Sequence, residues 1–261
     1  MENPLNSLKK FLSNLSKLGS GAGDSAIGID IGSSSIKVIE IKRKGGKTIL
    51  ETYGSIALGP YDNLDVGRVT NLSVPKVSEA LKEVLKQSGI ISTSGVFSLP
   101  VQSSLIFVVE LPASIKESEL AQIIPTEARK YIPVPITEVS LNYFILPKKE
   151  LSFEEMNDPL RHSDISPDIK KKEDGGAVDK TNVLVVAIQN DAISKYRSIV
   201  SESSLSASFF EIEIFSSIRA NFEHELSPVL LMDFGASRTK LSIVEFGMVR
   251  SYHTIDRGGA D

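Results

Sequence analysis

The sequence contains no cysteine. That excludes disulfides and thiolate zinc sites, and it suits a reducing compartment. Histidine is almost as scarce: His162, His224 and His253 are the only three, and none sits at paired-ligand spacing, which argues against a histidine-based metal centre. No apolar run approaches the roughly 20 residues a helix needs to cross a bilayer. The first residues hold no continuous apolar core of the kind a secretory signal carries. Positive charge is not in surplus either: 29 Lys and Arg against 33 Asp and Glu leave a net −4, so composition recommends no nucleic acid partner. What is present is ordinary for a globular protein, with 41% hydrophobic and 24% charged residues. A length of 261 residues suffices for one large domain or two modest ones.

Residues 4–18 predict a short amphipathic helix, with Asn3 as its cap, Pro4 in the first position and Gly19 as the stop. Leu5, Leu8, Phe11, Leu12, Leu15 and Leu18 share one arc, and Lys9, Lys10 and Lys17 lie opposite. Such a helix suits a membrane surface, a partner protein or the flank of its own domain. The Gly- and Ser-rich stretch 19–25 reads as a linker. Alternation predicts strands over 27–31, 36–41 and 48–58, and helical spacing of Val77, Leu81, Val84 and Leu85 predicts a helix over 74–87 ended at Gly89. Strands follow over 96–99 and 105–111. Ser114 and Glu117 suggest a capping box for the next helix, which Pro125 should kink. An extended link over 131–135 leads to a strand over 138–146. The stretch 147–181 mixes lysines and carboxylates around one aromatic, Phe153, and reads as a long surface loop. A buried-type strand over 182–187, a helix over 191–200, a strand over 207–214 and a helix over 215–222 come next. A strand from 229 ending in Asp233, a Gly-small-Ser turn, a second strand through 244 and a third over 248–254 complete the pattern.

One stretch carries chemistry. Asp30 closes an apolar strand, Gly32-Ser33-Ser34-Ser35 turns, and Lys37 lies on the returning strand. Taken alone this is an ordinary polar hairpin or a small-residue turn whose backbone can approach phosphate oxygens. The pattern recurs at Asp233, Gly235, Ala236 and Ser237. Two such hairpins, each opening a block of mixed sheet and helix, favour a phosphate clamp with Asp30 and Asp233 positioning Mg²⁺ through its water shell.

Asp30-x-Gly32-Ser33-x-x-x-Lys37 and Asp233-x-Gly235 resemble the two phosphate loops of the actin/Hsp70/sugar-kinase ATPase superfamily. The block Leu111-Pro112, Glu119-Leu120, Glu127-Ala128, Tyr131-Ile132-Pro133-Val134-Pro135, Glu138-Val139 and Tyr143 is similar to the FtsA-like branch, and within it to the PilM family of type IV pilus assembly proteins. The run from Glu211 to Arg219 resembles that family's entry into the helix joining the two halves, and Gly258-Gly259 its motif after the second hairpin. The resemblance covers 26–261 apart from the charged loop.

It implies an α/β, actin-like (ribonuclease H-like) fold with mixed sheets and an inserted 1C-type subdomain. On that template 26–93 is the first part of subdomain 1A, 94–147 the insert, 148–181 the charged loop, 182–222 the return of 1A with the connecting helix, and 223–261 the start of 2A. The rest of 2A and subdomain 2B, with the adenosine-binding glycine motif, is expected beyond the last residue, so ATP affinity is expected to be weak. The resemblance implies ATP and Mg²⁺ as ligands. Ser33, Ser34 and Lys37, with Gly32, would grip phosphates on one side, and Gly235, Ala236 and Ser237 on the other. Glu213 would orient an attacking water; the competing reading is a charged helix-cap residue. Arg238 departs from the family's small hydroxyl residue. The implied role is a cytoplasmic scaffold, at most a weak ATPase. It lies at the inner membrane and binds the N-terminal cytoplasmic peptide of a PilN-like inner-membrane protein. The pilus motor ATPase, self-assembly and twitching motility come with that role. An FtsA-like cell-division filament protein and a small-molecule kinase are the alternatives. The kinase is disfavoured because 95–146 offers no aspartate to activate an acceptor hydroxyl.

Overall fold

The computed structural model of the chain describes residues 25–45, 47–146, 180–222 and 227–260. The expected helix over 4–18, the linker as far as residue 24 and the charged stretch 147–179 lie outside the described residues.

β1 (Ser25–Ile31), β2 (Ser35–Lys44) and β3 (Lys47–Ala57) form an antiparallel meander. Their β-branched residues alternate, so one face collects Ile27, Ile29, Ile36 and Val38, all at most 3% exposed. β4 (Ser94–Leu99) and β8 (Ser206–Ile212) extend the sheet in parallel, giving the order β3-β2-β1-β4-β8. Two helices cover the apolar face: α1 (Val74–Gln87) and α3 (Asn190–Glu202). α1 has Pro75 in its first turn and Gly89 just past its end at φ +68°. Its Val77, Leu81 and Val84 pack on the sheet so closely that a Cβ on Gly54 of β3 would sit 3.1 Å from a Val84 methyl.

A second sheet has the order β5-β7-β6, from β5 (Ser104–Pro112), β6 (Val139–Ile145) and β7 (Lys180–Gln189), all antiparallel. β7 lies in the middle and is buried on both faces, hence its unbroken Val-Leu-Val-Val-Ala run. Val183, Val185 and Ala187 meet α2 (Glu117–Ala128) through Leu120, Ile124 and Ala128. Leu184 and Val186 point the other way and join Ile214 and Ile218 of α4 (Glu213–Asn221). The same cluster takes in Val244 and Val249 from a third sheet, β11-β10-β9, built from β9 (Val229–Phe234), β10 (Thr239–Glu245) and β11 (Met248–Ile255). This shared core holds the third sheet against the first two.

Three local expectations change. Sheet membership cuts across the grouping read along the chain: β4 pairs in the first sheet rather than with the 94–147 block, and β7 is the middle strand of the second sheet. Strand pairing is non-local, and sequence order does not reveal it. The cap of α2 is Lys116 rather than Ser114, because the Glu119 carboxylate accepts the Lys116 N–H at 2.8 Å. Pro125 lies inside α2 without ending it. Finally, β8 stops at Ile212, two residues short of expectation, so Glu213 opens α4.

Candidate functional site

The first hairpin is built by register. Asp30 stands opposite Lys37 across β1 and β2, and the Lys37 ammonium donates to Asp30 at 3.1 Å. The Gly32 N–H closes the turn on the Ser35 carbonyl at 3.0 Å, where a Cβ on Gly32 would press at 3.1 Å. Two more carbonyls are taken from outside: Ser34 O accepts the Leu58 N–H at 2.8 Å, and Ser33 O accepts the N–H and the hydroxyl of Thr70. Among the described residues, the N–H groups and hydroxyls of Ser33 and Ser34 make no hydrogen bond. At Ser33 and Ser34 the carbonyls are consumed and the donors unused, which is the polarity an anion needs.

The second hairpin repeats the register, the closing turn bond and the free donors, with the outside bonds one position earlier. Asp233 stands opposite Lys240, and the Gly235 N–H closes on the Arg238 carbonyl at 2.9 Å. The Gly235 and Ala236 carbonyls accept the N–H groups of Gly259 and Ala260 at 3.0 and 2.9 Å. The N–H groups of Ala236 and Ser237 and the Ser237 hydroxyl make no hydrogen bond among the described residues. Gly258 is required here because a Cβ would lie 2.2 Å from the Ala236 oxygen. The Arg238 side chain turns away; its guanidinium donates to Asp256 at 2.6 Å.

Glu213 links the two halves. One carboxylate oxygen accepts the Val101 N–H at 2.8 Å, just past β4, and the other accepts the Lys240 ammonium at 2.6 Å. Lys240 also donates to Asp233 at 3.0 Å. Burial disfavours the charged Lys240, but the carboxylates of Glu213 and Asp233 outweigh it and raise the ammonium's pKa. Tyr196 of α3 lies within the electrostatic reach of Asp30 and Glu213. Burial first, and those two carboxylates next, push its phenol well above the usual range.

The geometry thus places Asp30, Gly32, Ser33, Ser34 and Lys37 in one turn and Asp233, Gly235, Ala236 and Ser237 in its counterpart. Glu213 stands beside the second. Among the described residues, no group of three or more His, Asp or Glu forms a metal cage. Mg²⁺ that keeps most of its waters and phosphate ligands needs only one or two carboxylates, and Asp30 and Asp233, each 43% exposed at the side chain, fit that need. Sequence reasoning missed Lys240 and Tyr196. The signal for Lys240 was present: it follows Asp233 by the seven residues that separate Lys37 from Asp30. Tyr196 left no such signal, because it comes from a helix distant in sequence.

Residues 28–163 match the family model described as type IV pilus assembly protein PilM. The chain belongs to this family. Among solved structures, the PilM family is met again in a chain of the PilM-PilN type IV pilus biogenesis complex, with 20% identity and a TM-score of 0.66 over 90% of this chain. The match covers 62% of that protein, so the present chain spans less than two thirds of it. The cytoplasmic domain of EpsL, an inner-membrane component of the type II secretion system of Vibrio cholerae, matches at 10% identity and a TM-score of 0.50, over 89% of this chain and 71% of that one. These likenesses show the actin-like α/β fold expected from the two hairpins. Among the described residues no helix is long and apolar enough to cross a membrane.

Proposed function

We propose that this PilM-family chain is a nucleotide-binding scaffold of type IV pilus assembly. On this reading, ATP lies with its phosphates between the two hairpins and Mg²⁺ is positioned by Asp30 and Asp233. The observation that carries the reading is the paired turn. In each hairpin two turn carbonyls are bonded from outside, and N–H groups and serine hydroxyls are left to meet an anion. Charge-assisted hydrogen bonds to phosphate are the strong kind, and Lys37 and Lys240 stand beside the turns to add two cations. Glu213 supports a binding role more than turnover, since both its oxygens already hold protein donors. Bound ATP would then act by favouring one arrangement of the two halves through differential affinity.

The partner on this reading is the N-terminal cytoplasmic peptide of a PilN-like inner-membrane protein, received beside the β5-β7-β6 sheet. The complex formed by the structural relative supports it. Isothermal titration of the protein with Mg²⁺-ATP tests the nucleotide half. Binding that weakens in Asp30→Ala and Lys37→Ala is expected, and unchanged affinity in both would overturn the site. Titration of the partner peptide with and without ATP tests the scaffold half, and a peptide that binds under neither condition would overturn it.

A further inference from the structure

The two hairpins match in register, turn bond and donor pattern, yet their lysines are in different states. Lys37 pairs with Asp30 alone, and its side chain is 60% exposed. Lys240 is 15% exposed and shared between Asp233 and a second carboxylate, Glu213, which reaches it from α4. Glu213 makes the shorter contact, 2.6 Å against 3.0 Å. It is itself anchored at its other oxygen by the Val101 N–H, so it cannot follow Lys240 if the ammonium moves. The feature that sets the two lysines apart is therefore Glu213.

We propose that Lys240 is a phosphate-binding cation held in reserve by Glu213, so that Glu213 sets how tightly the second hairpin grips a polyphosphate. This rests on the phosphate-clamp reading above. The reasoning is competition for one ammonium. Two of its three donors are engaged and two carboxylates offset its charge, so a phosphate beside Ala236 and Ser237 meets a weaker cation than a lysine paired once would present. A ligand with several linked phosphates gains from both lysines and both turns, whereas a monophosphate reaches one. The ligand class is thus an inorganic or nucleoside polyphosphate, recognised by its phosphate chain.

The experiment is calorimetric titration of the full chain and its variants with inorganic triphosphate, ATP and AMP. Lys240→Met should weaken triphosphate and ATP binding by roughly tenfold or more, the value of one charged hydrogen bond. Lys240→Arg, which keeps a cation, should stay within about threefold of the parent. Glu213→Gln should tighten triphosphate binding, because the carboxamide no longer holds the ammonium by charge; a purely structural Glu213 would give unchanged or weaker binding. AMP should bind weakly throughout. Parent protein that binds neither triphosphate nor ATP overturns the clamp reading itself, and the inference with it. Parent protein that binds both, with Lys240→Met unchanged or Glu213→Gln weakened or unaltered, overturns the inference alone. Should Glu213→Gln fail to fold, the Met and Arg variants decide between them: equal loss in both overturns the proposal, and loss in Met alone supports it.

Discussion

Replacing Gly258 by alanine should loosen the second turn, and the same change at its neighbour Gly259 should not. A Cβ on Gly258 would lie 2.2 Å from the Ala236 oxygen and 2.6 Å from the Gly235 oxygen. Carbon–oxygen contacts close at about 3.3 Å, so the segment must retreat by roughly 1 Å. The Gly259 and Ala260 N–H bonds to those same two residues stand at 3.0 and 2.9 Å and do not survive that retreat. Two backbone hydrogen bonds at about 0.5–1.5 kcal/mol each give a cost of about 1–3 kcal/mol. For Gly259 the nearest atom to an added Cβ is 4.0 Å away, and neither glycine has the left-handed backbone that side chains resist. Gly259→Ala should therefore cost under about 0.5 kcal/mol. Urea denaturation reads both variants on one scale, through the shift in midpoint at unchanged slope. Hydrogen exchange at the Gly259 and Ala260 amides shows whether the loss is local. Equal destabilisation by the two substitutions, or a Gly258→Ala protein as stable as the parent, would refute the close-approach argument.

Two further outcomes follow from buried charge. Glu211 is 8% exposed, and its carboxylate is held by the two terminal nitrogens of Arg219. Arg219→Ala strands it and should cost toward the lower end of about 3–5 kcal/mol, because Arg219 itself is partly exposed; a melting temperature within a degree of the parent would contradict this. The second concerns alkali. The folded protein holds the Tyr196 and Lys240 protons more tightly than the unfolded chain does. As pH rises above about 10 the unfolded state loses protons that the folded state keeps, so stability falls with pH. Tyr196→Phe removes the phenol's share, and its melting temperature should drop less than the parent's between about pH 9 and pH 11; parallel curves would sink the assignment.

Much of the first sheet is legible in the residues themselves. The alternation of Ile27, Ile29 and Ile31 and the 3.6-residue spacing in α1 both reflect one buried face, and a face is a local property of the chain. The capping of α2 was less legible, because Ser114 and Lys116 are both compatible with a start and the choice fell to where β5 releases the chain. The partners of Glu213 were least legible. Glu213 itself stood out in the sequence, but Val101 and Lys240, which hold it, and Tyr196 nearby come from three other stretches of chain.

The sequence by itself determined the two hairpins: an aspartate closing an apolar strand, a glycine that lets the turn close, small residues after it, and a lysine seven positions on that antiparallel register must bring back opposite the aspartate. It also determined membership of the PilM family, since the match rests on residues alone. Only the tertiary structure decided that β4 and β7 belong to different sheets from those their order suggests, and that Glu213 spans from Val101 to Lys240. The physical reason is range. A hairpin is set by contacts a few residues apart, whereas the Glu213 bridge depends on one core, shared by β5, β7, α4 and the third sheet, that seats a carboxylate from α4 against an ammonium from β10.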